Sequence, residues 1–155
     1  MSAGEVLIHT FYTAFKAKDF ITMQDCYAQN ARFTDAVFKD LNATETRKMW
    51  EMLLKKGKDL SIEFSNITAT DSEVSANWEA TYTFSLTGKK VVNKVKASFD
   101  IEDGKIINHC DSFNFYTWAR QAFGFKGMLI GWTPFFKNKV RRTASDNLKK
   151  FMALN

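Results

Sequence analysis

From Leu60 onward the hydrophobic pattern takes a period of two, and no other feature narrows the fold so far. The segments "LSIEFSNITAT", "VSANWEATYTFSL", "KVVNKVKASFDI" and "KIINHCDSFNFY" follow one another, broken only by "DS", "TGKK" and "EDG". In the second segment Trp78, Ala80, Tyr82 and Phe84 share a face, with Asn77, Glu79, Thr81 and Thr83 on the other. In the third, Val95, Ala97, Phe99 and Ile101 oppose Lys94, Lys96, Ser98 and Asp100. Strict alternation predicts strands with one packed and one more polar face. Connections this short leave no room for a crossover helix, so the strands are expected to pair as antiparallel hairpins.

The flanking segments have helical spacing. Ser2 followed by Glu5 predicts a capping box, and Leu7, Phe11, Ala14 and Phe15 then recur along one stripe. Asp19 is a candidate N-cap for a short helix with Phe20, Met23 and Tyr27 on one face, ending at Asn30. "ARFTDAVF" predicts a strand with Phe33, Asp35 and Val37 together on one side. Asn42 with Glu45 begins another helix, with Thr46, Met49, Trp50, Leu53 and Leu54 as its stripe and Gly57 as its C′ residue. After the strands, "TWARQAFG" predicts a short helix ended by Gly124. Thr133 and Pro134 predict N-cap and N1 of a last helix, with Phe136, Val140, Ala144, Leu148, Phe151 and Met152 facing inward. "FKGMLIGW" between them suits either a lid or a packed connector. Helices gathered on one side of a curved antiparallel sheet give an α+β class, a cone-shaped roll wrapped around the N-terminal helices with a C-terminal helical tail. Residues 1–155 are expected to form one domain.

Composition removes several function classes. No run of 18 apolar residues occurs, and the first residues lack a basic start and a cleavage pattern, so a cytoplasmic protein with no membrane partner is expected. Two cysteines, Cys26 and Cys110, are too few for a disulfide framework and are expected to be reduced and buried. His9, Cys26, His109 and Cys110 have no metal-ligand spacing, and no glycine loop for a phosphate is present, so neither metal nor cofactor is expected. The net charge of +5 comes from residues 137–150, with Lys137, Lys139, Arg141, Arg142, Lys149 and Lys150 against Asp146 alone. The segment suits the solvated face of a helix, or a patch for nucleic acid or anionic lipid; no nucleic-acid partner is expected, because no motif supports one. Fifteen phenylalanines with four tryptophans and four tyrosines suit either ordinary packing or a cavity lined by rings.

"FTDAVFKDL", "MWEML", "KGKDL", "WEATYTFSLTGKKVVN", "DGKIINHCDSFNFYTWARQAFG" and "GWTPFFKNKVR" resemble the nuclear-transport-factor-two-like superfamily, and within it a bacterial SnoaL-like branch. The likeness runs from about Phe11 to the C-terminus. That superfamily includes ketosteroid isomerase, limonene epoxide hydrolase and the SnoaL polyketide cyclases. The resemblance implies a cavity under the sheet, a small apolar ligand and a homodimer through the sheet face. It places Asp35 where the isomerases carry their proton-shuttling base, and Tyr27, Tyr82 and Asp111 are candidate oxyanion donors. His109 and Asp111 stand where SnoaL-like proteins carry a histidine and, two residues on, an acid. The limonene hydrolases' Arg-x-Asp pair is missing from "NWEATY", and Asn114 replaces a later aspartate, which disfavours that mechanism.

Asp35, His109 and Asp111 are thus the candidate catalytic residues. Tyr27, Trp50, Trp78, Tyr82, Phe113 and Asn114 are the candidate ligand contacts. Each has a structural alternative: Asp35 suits a turn as well as a proton shuttle. His109 and Asp111 share a strand face with their Cβ atoms roughly 7 Å apart, so a hydrogen bond between them needs a suitable rotamer or a water. Catalysis of this kind requires that at least one of the three line the main pocket. A non-catalytic binding or dimerisation module requires instead a closed or apolar interior.

Overall fold

The computed structural model describes residues 1–71 and 73–154; Ser72, half of the predicted "DS" turn, lies outside the described residues. The order is α1 (Ala3–Lys16), α2 (Phe20–Asp25), β1 (Tyr27–Thr34), α3 (Ala43–Lys56), β2 (Ser61–Ala69), β3 (Val74–Phe84), β4 (Lys89–Glu102), β5 (Lys105–Ser112), α4 (Phe115–Phe123), α5 (Phe125–Ile130) and α6 (Pro134–Leu154). The architecture is α+β, with a curved sheet of five strands in the order β1-β5-β4-β3-β2.

The helix starts form through local chemistry. Ser2 Oγ accepts from Glu5 N at 3.1 Å while Glu5 Oε1 accepts from Ser2 N at 3.2 Å. Asn42 and Glu45 repeat the exchange, both at 2.9 Å. Each box satisfies backbone donors that the helix itself leaves free. Thr133 Oγ1 accepts from Phe136 N at 3.2 Å at the start of α6. The alternation of β3 and β4 places Ala76, Ala80, Val91, Val95, Ala97 and Phe99 in the interior.

Several boundaries differ from expectation. The second helix stops at Asp25, and Tyr27 opens β1 instead of facing inward from a helix. Asp35 lies beyond the end of β1, in a turn. The sheet is mixed rather than wholly antiparallel, because β1 runs parallel to β5, with Phe33 beside His109 and Thr34 beside Cys110. That pairing joins segments far apart in the chain, so no local turn announces it. Gly57 closes α3 with a φ of −82°, without the left-handed backbone of a C′ glycine. The last strand ends at Ser112, and Asn114 caps α4. "FKGMLI" is the helix α5. Cys110 is exposed; Cys26 is buried as expected.

The interior holds two apolar clusters. The larger joins α1, α3 and the sheet through Phe11, Phe15, Phe33, Trp50 and Phe99. The smaller forms beneath α4 from Val91, Phe115, Trp118, Ala119, Ala122 and Phe136. Val37 and Tyr82 pack against both and mark the seam between them. No helix among the described residues is long and apolar enough to cross a membrane.

Candidate functional site

A chain of hydrogen bonds runs through the larger cluster. Trp50 Nε1 on α3 donates to Tyr27 Oη at 2.8 Å. Tyr27 Oη lies 2.8 Å from His109 Nδ1, and His109 Nε2 lies 2.8 Å from Asp111 Oδ1. Trp78 Nε1 on β3 donates to the same Asp111 oxygen at 3.4 Å. With the Tyr27 oxygen already accepting from Trp50, its own proton is free for His109 Nδ1. The arrangement assigns neutral His109 the Nε2–H form, donating to Asp111. The rotamers of the two β5 side chains thus close the gap that their Cβ spacing leaves.

Aromatic rings enclose this chain. The centroid of His109 is 4.1 Å from Phe99, 4.9 Å from Phe33 and 5.7 Å from Phe11, and Trp50 stacks on it at 6.1 Å. His109 is wholly buried and Asp111 is 4% exposed. An ionisable pair so deep gains little stability over a well-packed apolar pair of the same volume. Tyr12, on α1, is also wholly buried, and its hydroxyl is a buried polar atom without a hydrogen-bond partner among the described residues. Burial, then the nearby charge of Asp111, raises the Tyr12 hydroxyl well above its ordinary value. Sequence reasoning missed Tyr12; the available signal was a tyrosine four residues after Ile8 and next to Phe11, on the stripe that faces the core.

Asp35 sits at the border of this site. Its Oδ1 accepts from Val37 N at 2.7 Å and Phe38 N at 2.6 Å, a turn that the side chain itself organises. Oδ2 accepts no hydrogen bond among the described residues. The parallel register carries Asp35 to the end of β1 beside the end of β5, near Asp111 and His109. Burial pushes its pKa from 3.8 up to about 6; the two backbone N–H groups and His109 oppose that rise, and Asp111 adds to it.

The folded state therefore holds the Asp35 proton more tightly than the unfolded chain. This group's contribution to stability is greatest below pH 3.8 and falls as the pH rises to about 6. Asp35→Asn retains the turn's acceptor and removes the buried charge. Relative to the wild type, the variant is expected to gain up to about 3 kcal/mol across that window. Urea midpoints of both proteins at several pH values check it. A difference that stays flat with pH would show that Asp35 titrates as an ordinary surface carboxylate.

The remaining candidates divide. Tyr27, Trp50, Trp78, His109 and Asp111 form one connected group. Tyr82 stands apart, on the seam, where its oxygen accepts from Trp118 Nε1 at 2.8 Å. Phe113 packs in the smaller cluster. Asn114, a candidate ligand contact, is exposed, and its Oδ1 accepts from Thr117 N at 3.0 Å as the cap of α4. Two surface depressions are described. One, of about 500 Å³, is bordered by Gln24, Tyr27, Arg47, Glu102 and Lys105 among others. The other, of about 430 Å³, lies between Arg120, Gln121, Gly124, Phe125 and Met128. Asp35, His109 and Asp111 line neither, so neither is the catalytic pocket that the sequence suggested.

Comparison with known proteins points one way. A family model described as "SnoaL-like domain" matches residues 8–109. No curated protein sequence matches. Among solved structures, an epoxide hydrolase from M. tuberculosis, described as LEH-like, superposes with a TM-score of 0.63 at 17% identity, covering 82% of this chain and 92% of that one. A putative polyketide cyclase from Xanthomonas campestris gives 0.65 at 19% identity, over 77% and 96%. An NTF2-like protein of unknown function from Burkholderia pseudomallei gives 0.69 at 14% identity, over 79% and 98%. Likeness at these identities carries the fold and not the chemistry.

Proposed function

The chain belongs to the SnoaL-like domain family, and from that premise we propose that it binds a small molecule with an apolar body and a carbonyl or enol group. The binding place is the corner where β1 and β5 end. There Asp35 exchanges a proton with the ligand, and the His109–Asp111 pair stands behind it. One observation carries the proposal: an ionisable pair that stability does not call for lies buried beside a carboxylate whose pKa is about 6. A carboxylate titrating near working pH suits proton transfer next to a carbonyl. Asp35, the least enclosed of the three, marks the entrance. Asp35, His109 and Asp111 line neither surface depression, so the requirement that one of them line the pocket is met only in a ligand-opened form, in which the ligand enters along the seam at Val37 and Tyr82 by displacing side chains. Epoxide hydrolysis is not included, because the water-activating Arg-x-Asp pair has no counterpart.

The test is isomerisation of a steroid-like enone, followed by ultraviolet absorbance, together with binding of a naphthol as enolate mimic. Asp35→Asn is expected to lower kcat by about 100-fold or more while naphthol binding persists. Absence of both turnover and naphthol binding in the wild type would reject the proposal. The ring-filled interior then favours a second function, a non-catalytic module that pairs through the polar face of its sheet. Monomeric behaviour in light scattering would count against that module.

A further inference from the structure

The segment that the proposed chemistry leaves unused is the most unusual surface of the molecule. α5 is amphipathic in the wrong sense. Gly127 is buried against α4 so closely that a Cβ there would collide with the Ala119 carbonyl, and a Cβ at Gly131 would lie 2.8 Å from the Ala119 Cβ. The glycine face is therefore the packed face. The large apolar side chains turn outward: Phe125 is 71% exposed, Met128 46%, Leu129 54% and Trp132 69%. Phe125, Met128 and Leu129, spaced three and four residues apart, share one side of α5, and Trp132 follows in the turn after it. Phe135, at the start of α6, is 76% exposed. So many neighbouring large apolar side chains on a surface mark a place where something binds.

Charge selects the partner. Between Asp111 and Asp146 there is no acidic residue, while Arg120, Lys126, Lys137, Lys139, Arg141 and Arg142 contribute six positive charges. Arg120, Lys126, Lys139 and Arg142 are exposed. A second copy would bring the same charges face to face, which association disfavours. The polar tips beside the patch are already satisfied: Trp132 Nε1 donates to Leu129 O at 3.0 Å, and Tyr116 Oη donates to Met128 O at 2.8 Å. Such a face can enter an apolar medium without stranding a hydrogen bond. Exposed Trp, Phe and Leu bordered by Lys and Arg, without a spanning helix, suit the interfacial zone of an anionic bilayer.

We propose that α5 and the turn to α6 dock this protein on anionic lipid surfaces, with Phe125, Leu129, Trp132 and Phe135 inserted and the neighbouring cations on the headgroups. The proposal departs from the expectation of no membrane partner; the sequence offered a lipid patch only as one alternative for the basic segment. The exposed apolar face beside it is what favours that alternative.

The experiment uses the full chain with vesicles of phosphatidylcholine alone or mixed with phosphatidylglycerol. Co-sedimentation with the mixed vesicles is expected, weakened by salt, with a blue shift of tryptophan emission; Trp132 is the most exposed of the four indoles. The double variant Leu129→Ser with Trp132→Ser is expected to bind at least about tenfold more weakly, with an unchanged melting temperature. Should that variant fail to fold, Lys126→Glu with Lys139→Glu is expected to weaken binding by about tenfold or more. Absence of binding to the mixed vesicles at low salt would overturn the proposal. So would undiminished binding by the apolar variant together with equal binding to soluble polyglutamate, which would mean attraction by charge alone. A lipid-free dimer that the apolar variant converts to monomer would assign the face to a second copy and overturn it as well.

Discussion

Replacing Phe11 with alanine is expected to destabilise the protein by about 3–5 kcal/mol, a drop of about 10 °C in melting temperature for a chain of this size. Phe11 is wholly buried at the centre of the larger cluster. Its ring meets those of Tyr12, Phe15, Tyr27, Trp50, Phe99 and His109 edge-on, with centroids between 5.1 and 6.5 Å. Loss of the ring removes its burial and leaves a void that so many bulky neighbours fill only in part. Urea unfolding measures the change. A loss below about 1 kcal/mol would mean that the interior collapses readily. That outcome would also bear on function, because an interior that rearranges at little cost can admit a ligand that the closed core has no space for.

The second large effect concerns Asp111. Alanine there leaves the Nε2–H of wholly buried His109 and the indole N–H of half-buried Trp78 without their acceptor. A buried donor left unpaired costs about 1–3 kcal/mol; the half-buried indole adds less, so a total of about 3 kcal/mol is expected. Changing both members, His109→Phe with Asp111→Leu, is expected to be less harmful than Asp111→Ala alone. The pair then disappears as a unit, and apolar side chains fill its volume. A double-mutant cycle by denaturant unfolding isolates the coupling. Strict additivity would mean that the two side chains do not act as a pair, and the proposed proton-handling site would lose its foundation. Stability and activity are expected to part here: the apolar double variant keeps its fold and loses the buried pair that stands behind Asp35.

Where chemistry is local, the chain was readable. The capping boxes at Ser2 and Asn42 need only residues three apart. The alternation from Leu60 to Ser112 needs only neighbours, and the short connections leave antiparallel pairing as the one economical path. The errors fall where a distant partner decides. The spacing of Tyr27 from Met23 is helical, but pairing with β5 makes it the first residue of a strand. The alternation of "ARFTDAVF" predicts a strand face for Asp35, but its side chain takes two backbone N–H groups and turns the chain instead. The alternation of the last segment continues to Asn114, a candidate ligand contact, but the strand ends two residues earlier and Asn114 caps α4.

The sequence by itself determined the α+β class, most helix starts, the faces of the hairpin strands and the choice of His109 and Asp111 as residues to watch. It did so because capping, hairpin turns and hydrophobic period act within a few residues of chain. Only the tertiary structure decided that Tyr27, 82 residues from His109, completes a hydrogen-bonded chain with it, and that Tyr12 brings an unpartnered hydroxyl into the same core. It alone decided that Asp35 stands beside that core, and that α5 turns its glycines inward and its large side chains out. Burial and partnership depend on what the rest of the chain packs against each residue, and no short window of sequence contains that information.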